Sequence, residues 1–242
     1  MSRVTDVRYV GYAVTDLAAE RAFYRDVWKL KEVHEADGLV YFAAEGDDTL
    51  YVVRLRQSAE KRIDVVALAA DSNADVDALH AAVVASGCKV IFAPQNLTTY
   101  GGGYGFRFFN PDGIEMEVSA GVARGTARAL APREAIPAKI SHVVFHSPQH
   151  KDITQWFIDV LGFRLSDWIG DFMSLIRCNT AHHRIAFLPG PPCLNHVAYD
   201  MPDLNEMMRG LKRLRREGFD TVWGPGRSEE RRVGKECLRL CR

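Results

Sequence analysis

Alternating hydrophobic and polar positions open each half of the chain, and each alternating run precedes a segment with helical spacing. Residues 8–14 alternate as in a strand and are followed by helical spacing over residues 17–28. Residues 140–146 alternate in the same way, and another helical segment follows them. Phe23 and Trp156 occupy matching places in the two helical segments at an offset of 133 residues. The two halves therefore share one design.

Each half contains a second strand-then-helix start. Residues 63–69 precede a helical pattern over 75–86, and residues 194–199 precede one over 202–216. Short β-rich runs lie between the starts, at residues 39–42, 50–54, 172–176 and 185–188. The pattern predicts an α+β fold of four βαβββ modules arranged in two pairs.

The same pattern predicts domain boundaries. Residues 1–121 form the first predicted domain, the Ala- and Pro-containing residues 122–137 a linker, and residues 138–226 the second domain. The second module ends in a strand, a turn and a strand over residues 105–118. No comparable pattern follows Gly226, so the fourth module is predicted to be incomplete.

Residues 227–242 resemble the translation of a sequencing-library adapter, and we interpret them as a non-native tail. A native basic tail is the alternative interpretation. Glu229, Glu230 and Glu236 lie in this segment without a preceding turn or an alternating strand, so they receive no predicted role.

Charge and composition exclude several classes of function. With the tail set aside, 25 basic and 28 acidic residues remain, which does not indicate a nucleic-acid partner. The basic patch of Lys212, Arg213, Arg215 and Arg216 is predicted to be a solvated helix face. We expect a cytoplasmic protein, because no apolar run is long enough to span a membrane and no signal-peptide pattern opens the chain. The cysteines have neither disulfide-framework nor zinc-cluster spacing.

Four short motifs occur in order along the chain: residues 140–142, 177–186, 194–198 and 223–226. As an ordered set they resemble the vicinal oxygen chelate superfamily, specifically the two-domain type I extradiol ring-cleaving dioxygenases. The resemblance implies that each pair of modules forms an open barrel, with the second barrel incomplete here and holding the metal.

The resemblance also implies the metal ligands. His142 and His196 match the two histidines of a facial triad on Fe(II), with Mn(II) as the alternative metal. The first-half positions that correspond to them hold Tyr9 and Val65, so only the second half is expected to bind metal. The family's third ligand is a glutamate, and the counterpart of Glu117 falls near position 248, after the last printed residue.

His183 matches the family's acid/base histidine, a role that suits the unperturbed imidazole pKa of about 6.5. If the segment is a strand, His182 faces the opposite side, although it remains a candidate pocket residue. Val144 and His146 share a strand face with His142 and are also predicted to line the pocket. The alternative is that His182 and His183 are two exposed turn histidines.

These assignments imply an enzyme that inserts O2 into a catechol-type aromatic diol with ring cleavage, and that forms a homo-oligomer when full length. Two alternatives remain: a glyoxalase-like metal enzyme and a non-catalytic module that binds small molecules. Because the carboxylate ligand is not found in the sequence, we expect the 242-residue chain to bind Fe(II) weakly and to turn over little.

Overall fold

The computed structural model describes residues 3–220, 223–227 and 236–239. Its first three modules repeat the order β-α-β-β-β. The first module contains β1 (Asp6–Val14), α1 (Leu17–Ala22), β2 (Lys31–Ala36), β3 (Leu39–Ala43) and β4 (Val53–Gln57). The second contains β5 (Arg62–Ala69), α2 (Asn73–Ala85), β6 (Val90–Asn96), β7 (Tyr104–Phe109) and β8 (Glu115–Ala120). The third contains β9 (Lys139–Ser147), α3 (His150–Leu161), β10 (Arg164–Ile169), β11 (Met173–Arg177) and β12 (Ile185–Pro189). The fourth contains β13 (Cys193–Asp200), α4 (Leu204–Arg216), β14 (Trp223–Arg227) and β15 (Glu236–Arg239).

The strands form mixed sheets, which confirms the predicted α+β class. One sheet has the strand order β2-β3-β4-β1-β5-β8-β7-β6, and a second has the order β10-β11-β12-β9-β13. Most neighbours are antiparallel hairpins, but β5 pairs with β8 and β12 pairs with β9 in parallel. A parallel pair needs a long connection between its strands, and within each module the helix and two strands provide it.

The chain divides into two compact units. One combines the second and third modules with the start of β1, and the other combines the first and fourth modules with residues 124–141. In the first unit α3 buries Ile153, Phe157 and Leu161, which follow one another at helical spacing. The Phe157 ring lies 5.0 Å from that of Phe187 on β12, so this helix face packs on the sheet.

In the second unit, α4 holds the predicted linker in place. The buried Glu206 carboxylate accepts hydrogen bonds from the backbone N–H groups of Arg133 (2.9 Å) and Ala135 (2.7 Å). Burial by itself raises the pKa of Glu206, but these donors and Arg209 hold it below its ordinary value. The Arg213 guanidinium donates to the carbonyl oxygens of Val27 and Ala135 at 3.1 and 2.7 Å. The prediction of a solvated Arg213 is therefore wrong, while Lys212, Arg215 and Arg216 are exposed.

Two strand predictions need correction. The strand predicted over residues 50–54 is observed over Val53–Gln57 instead. It follows a turn in which the Asp47 side chain accepts hydrogen bonds from the backbone and hydroxyl of Thr49. Glu236–Arg239 forms a strand antiparallel to β14, although no strand was expected after Gly226. An edge strand such as β14 offers unpaired backbone groups that a nearby extended segment can satisfy. Glu229 and Glu230 lie outside the described residues.

No helix in the described ranges is long and apolar enough to cross a membrane.

Candidate functional site

The rings of His142 and His183 lie against each other inside the first unit. Their centroids are 4.3 Å apart, and the two residues are only 3% and 1% exposed. The parallel β9/β12 ladder explains the contact, since Val143 pairs with Ile185 and its N–H donates to the Arg184 carbonyl oxygen at 3.0 Å. This register places the chain entering β12 beside the start of β9. Of the two interpretations of His183, a buried position is observed rather than an exposed turn.

His182 does not face away from His183. The two residues lie in a bend before β12 rather than on the strand, so the alternation argument does not apply to them. Their Nδ1 atoms are 3.2 Å apart. One ring must donate and the other accept in such a contact, so the tautomer of His183 is coupled to that of His182.

Val144 lies on the β9 face predicted to border the pocket. It is fully buried and packs with Leu175, Ala186 and Leu188, with partly buried Met173 against this cluster. These side chains form an apolar wall that excludes water from their side of the strand.

His146 lies farther along β9 and is half-buried. Its Nδ1 lies 3.1 Å from the Pro189 carbonyl oxygen, and its Nε2 contacts the Asn195 side-chain amide. A Cβ atom on Gly190 would lie 2.7 Å from His146 Nδ1, so glycine permits this close approach. Asn195 was not predicted from the sequence, because its contact with His146 joins residues far apart in the chain.

His196 is half-buried on β13, and β13 is the neighbour of β9 in the five-stranded sheet. Within the part of the chain that the structure describes, no group of three or more His, Cys, Asp and Glu residues is placed to hold a metal ion. The ligand assignment of His142 and His196 therefore stays a prediction. His34, His80 and His150 are each half-buried.

Tyr9 and Glu117 occupy first-half positions that correspond to the metal ligands of the second half. Within the first unit they belong to an ion-pair network. Glu117 is 0% exposed and accepts hydrogen bonds from the Tyr9 hydroxyl at 3.1 Å and from Arg107 Nε at 2.8 Å. Arg8 lies 3.9 Å from the same carboxylate and also donates to the Ser119 hydroxyl. Glu117 therefore has a structural role, because Arg8 and Arg107 balance its buried charge.

Replacing Glu117 with alanine is expected to destabilise the protein by about 3–5 kcal/mol, because Arg107 would keep a largely buried charge without its main partner. Glu115→Ala is the matched control, since Glu115 also pairs with Arg107 but is partly exposed. Its expected cost is about 1 kcal/mol or less. Urea unfolding monitored by circular dichroism measures both values, and equal costs would contradict this account.

A known protein family and a solved structure are similar to this chain. The family described as the Glyoxalase/Bleomycin resistance protein/Dioxygenase superfamily matches residues 7–118. The crystal structure of the Mn(II)-bound glyoxalase from Novosphingobium aromaticivorans is similar at 61% identity with a TM-score of 0.92. That match covers 94% of this chain and 75% of the other.

Two curated relatives are more distant. Metapyrocatechase 2 from Cupriavidus necator is 24% identical over 93% of this chain and 74% of its own length. The manganese-dependent 2,3-dihydroxybiphenyl 1,2-dioxygenase from Geobacillus genomosp. 3 is 25% identical over 85% of this chain and 71% of its own length. Similarity to both extends well beyond the residues that the family match covers.

Proposed function

Because the chain belongs to the Glyoxalase/Bleomycin resistance protein/Dioxygenase superfamily, we propose that it is an extradiol dioxygenase, which cleaves the ring of a catechol-type diol with O2. The buried contact between His142 and His183 carries the proposal. It brings a candidate metal ligand and a candidate proton acceptor together in a site from which water is largely excluded. The two curated relatives with dioxygenase or metapyrocatechase names support the same reaction class.

His142 and His196 are the proposed protein ligands of a divalent metal. Their donor chemistry fits, because neutral imidazole nitrogens bind Fe(II) and Mn(II). Their strands, β9 and β13, are neighbours in one sheet. This assignment leaves a third protein ligand outside the described residues. When bound, Fe(II), or Mn(II) as the alternative, would supply Lewis acidity and open coordination positions for the diol and O2.

His183 is the proposed acid/base residue. Its ring is held against His142, and its tautomer is coupled to that of His182. An imidazole in this place can accept the proton released by a catechol hydroxyl and hold it beside the reacting ring. Val144 and the apolar side chains around it would form the wall that orients an aromatic ring and keeps water away.

Glyoxalase-type metal chemistry is the second candidate function, and one observation favours it: the solved structure at 61% identity is described as a Mn(II)-bound glyoxalase. Against it, the first-half position that corresponds to His142 holds Tyr9, whose hydroxyl is bonded to Glu117. A metal site with ligands drawn symmetrically from both halves would require a metal-binding side chain at the position of Tyr9.

Oxygen consumption separates the two candidates. The full-length gene product and the 242-residue chain are loaded anaerobically with Fe(II), with Mn(II) or with no metal, and oxygen uptake is measured with monocyclic and bicyclic catechols. Parallel anaerobic assays follow isomerisation of a glyoxal hemithioacetal, which consumes no oxygen. Metal-dependent oxygen uptake with ring-cleaved products supports the dioxygenase, and the metal that restores it identifies the cofactor.

A silent oxygen electrode with every catechol, together with hemithioacetal turnover, would overturn the proposal in favour of the glyoxalase. Tight stoichiometric Fe(II) binding by the 242-residue chain would contradict the expectation that this chain binds iron weakly.

Cytoplasmic location and homo-oligomeric assembly remain sequence-based proposals, and light scattering of the full-length product tests the assembly.

A further inference from the structure

The first unit contains a cavity that shares no residue with the proposed metal site. Its volume is about 560 Å³, which lies within the range of roughly 300–1,000 Å³ typical of small-molecule sites. Three arginines line it: Arg3, Arg164 and Arg177. The cavity is therefore a concave surface with an unusual concentration of positive charge.

Two of these arginines lie directly opposite each other. Arg164 and Arg177 are register partners in the antiparallel β10/β11 pair, and like charges at such positions destabilise a sheet. The Arg177 side chain donates to the Ser166 hydroxyl at 2.8 Å, which is a neutral acceptor. Over the described ranges, none of the three arginines forms an ion pair with a carboxylate. The side chains of Arg164 and Arg177 therefore place two like charges on one face of the β10/β11 pair.

The rest of the lining only partly offsets this charge. Asp71 is the one acidic residue in the described lining, so an excess of two positive charges remains. Burial raises the pKa of the Cys178 thiol to about 12, and the thiol therefore stays neutral. The exposed Thr180 adds a hydroxyl donor.

Asn179 holds in place residues 178–180, which form part of the cavity lining. Its side-chain oxygen accepts from the Ala181 N–H at 3.0 Å, and its amide nitrogen donates to the Thr5 carbonyl oxygen at 3.2 Å. The segment that carries Cys178 and Thr180 is thereby tied to the N-terminal segment that carries Arg3. The cavity wall is held in place by hydrogen bonds before any ligand binds.

We propose that this cavity binds a small dianion, of the dicarboxylate or phosphate type, between the guanidinium groups of Arg164 and Arg177. Planar guanidinium groups match carboxylate and phosphate oxygens with paired N–H donors. A doubly charged ligand balances the excess charge of the lining and converts the cross-strand repulsion into two attractive contacts.

Isothermal titration calorimetry with inorganic phosphate and with malonate tests the proposal, at constant ionic strength set with chloride. The proteins are the unmodified chain, Arg164→Gln, Arg177→Gln and the control Arg62→Gln, which removes an exposed arginine from the first position of β5. We expect binding that weakens about tenfold or more in each cavity variant, because each loses charge-assisted hydrogen bonds. Affinity should change less than about twofold in the control.

Thermal unfolding provides a second readout that does not depend on a loss of function. Without added anion, Arg164→Gln should raise the melting temperature, since it removes the repulsive partner of Arg177. It should also abolish the stabilisation that the bound anion gives to the unmodified chain. A variant that merely fails to fold would change stability in the opposite direction.

Each outcome decides the proposal. Binding of phosphate alone identifies a phosphoryl ligand, binding of malonate alone identifies a dicarboxylate, and binding of both supports a general dianion site. The proposal is overturned if neither anion binds the unmodified chain, if Arg164→Gln binds as tightly as that chain, or if Arg164→Gln lowers the melting temperature.

Discussion

The His142→Ala protein is expected to lose catechol-dependent oxygen uptake to background and to bind the activating metal more than about 100-fold more weakly. Losing the hydrogen-bond partner of a metal ligand already costs roughly 10- to 100-fold in affinity, and losing the ligand itself costs more. His142 is 3% exposed, so a shortened side chain leaves a small buried space at the proposed metal site. The measurements are metal content after gel filtration and oxygen uptake of the full-length product.

The control for this variant is His150→Ala. His150 is also a histidine of the third module, but it is half-buried and its ring Nε2 contacts the Asp171 carbonyl oxygen. We expect metal content and oxygen uptake near those of the unmodified protein. If His142→Ala retains full metal content while His150→Ala loses it, the ligand assignment is wrong.

Replacing His183 with glutamine is expected to lower kcat by about 10²- to 10⁴-fold, the usual contribution of a positioned acid/base residue. Bound metal should remain near that of the unmodified protein, because His183 is proposed to move a proton and not to coordinate. The pH profile of kcat should also lose the limb that reports the histidine. Steady-state oxygen uptake and metal analysis across pH give these values.

His182→Gln tests the coupling between the neighbouring rings. It removes the Nδ1 contact at 3.2 Å and leaves His183 in place, so we expect a smaller loss of kcat, about tenfold or less. A larger loss for His182→Gln than for His183→Gln would reverse the roles of the two residues. Loss of metal in His183→Gln would make it a ligand instead.

Local patterns were sufficient for most of the secondary structure. Period-two alternation located β1, β9 and β13, and helical spacing located α2, α3 and α4, because these patterns follow from burying one side of each element. The strand predicted over residues 50–54 is observed over Val53–Gln57, a shift that hydrophobic periodicity does not register. Glu236–Arg239 was missed because a four-residue strand forms by pairing with β14 and not by its own pattern.

For the candidate site, too, the sequence identified residues to consider, and the structure showed which of them are in contact. The constant offset between the halves identified Tyr9 as the counterpart of His142, and the resemblance of short motifs drew attention to His183. Neither observation predicted that the His142 and His183 rings touch, because that contact depends on the parallel register of β9 and β12. The pairing of Glu117 with Arg107 was hidden for a similar reason, since it arises across the β7/β8 hairpin.

The sequence by itself determined the four-module repeat and the α+β class, because periodicity and repeat spacing can be observed along the chain. The histidines worth testing came from its resemblance to the extradiol dioxygenases. Only the tertiary structure decided which of these residues meet. It buried His183 beside His142 and turned His182 toward it. It also placed Arg164 opposite Arg177 at the edge of a cavity. Strand register and the course of the bends set these contacts, and both depend on residues far apart in the chain.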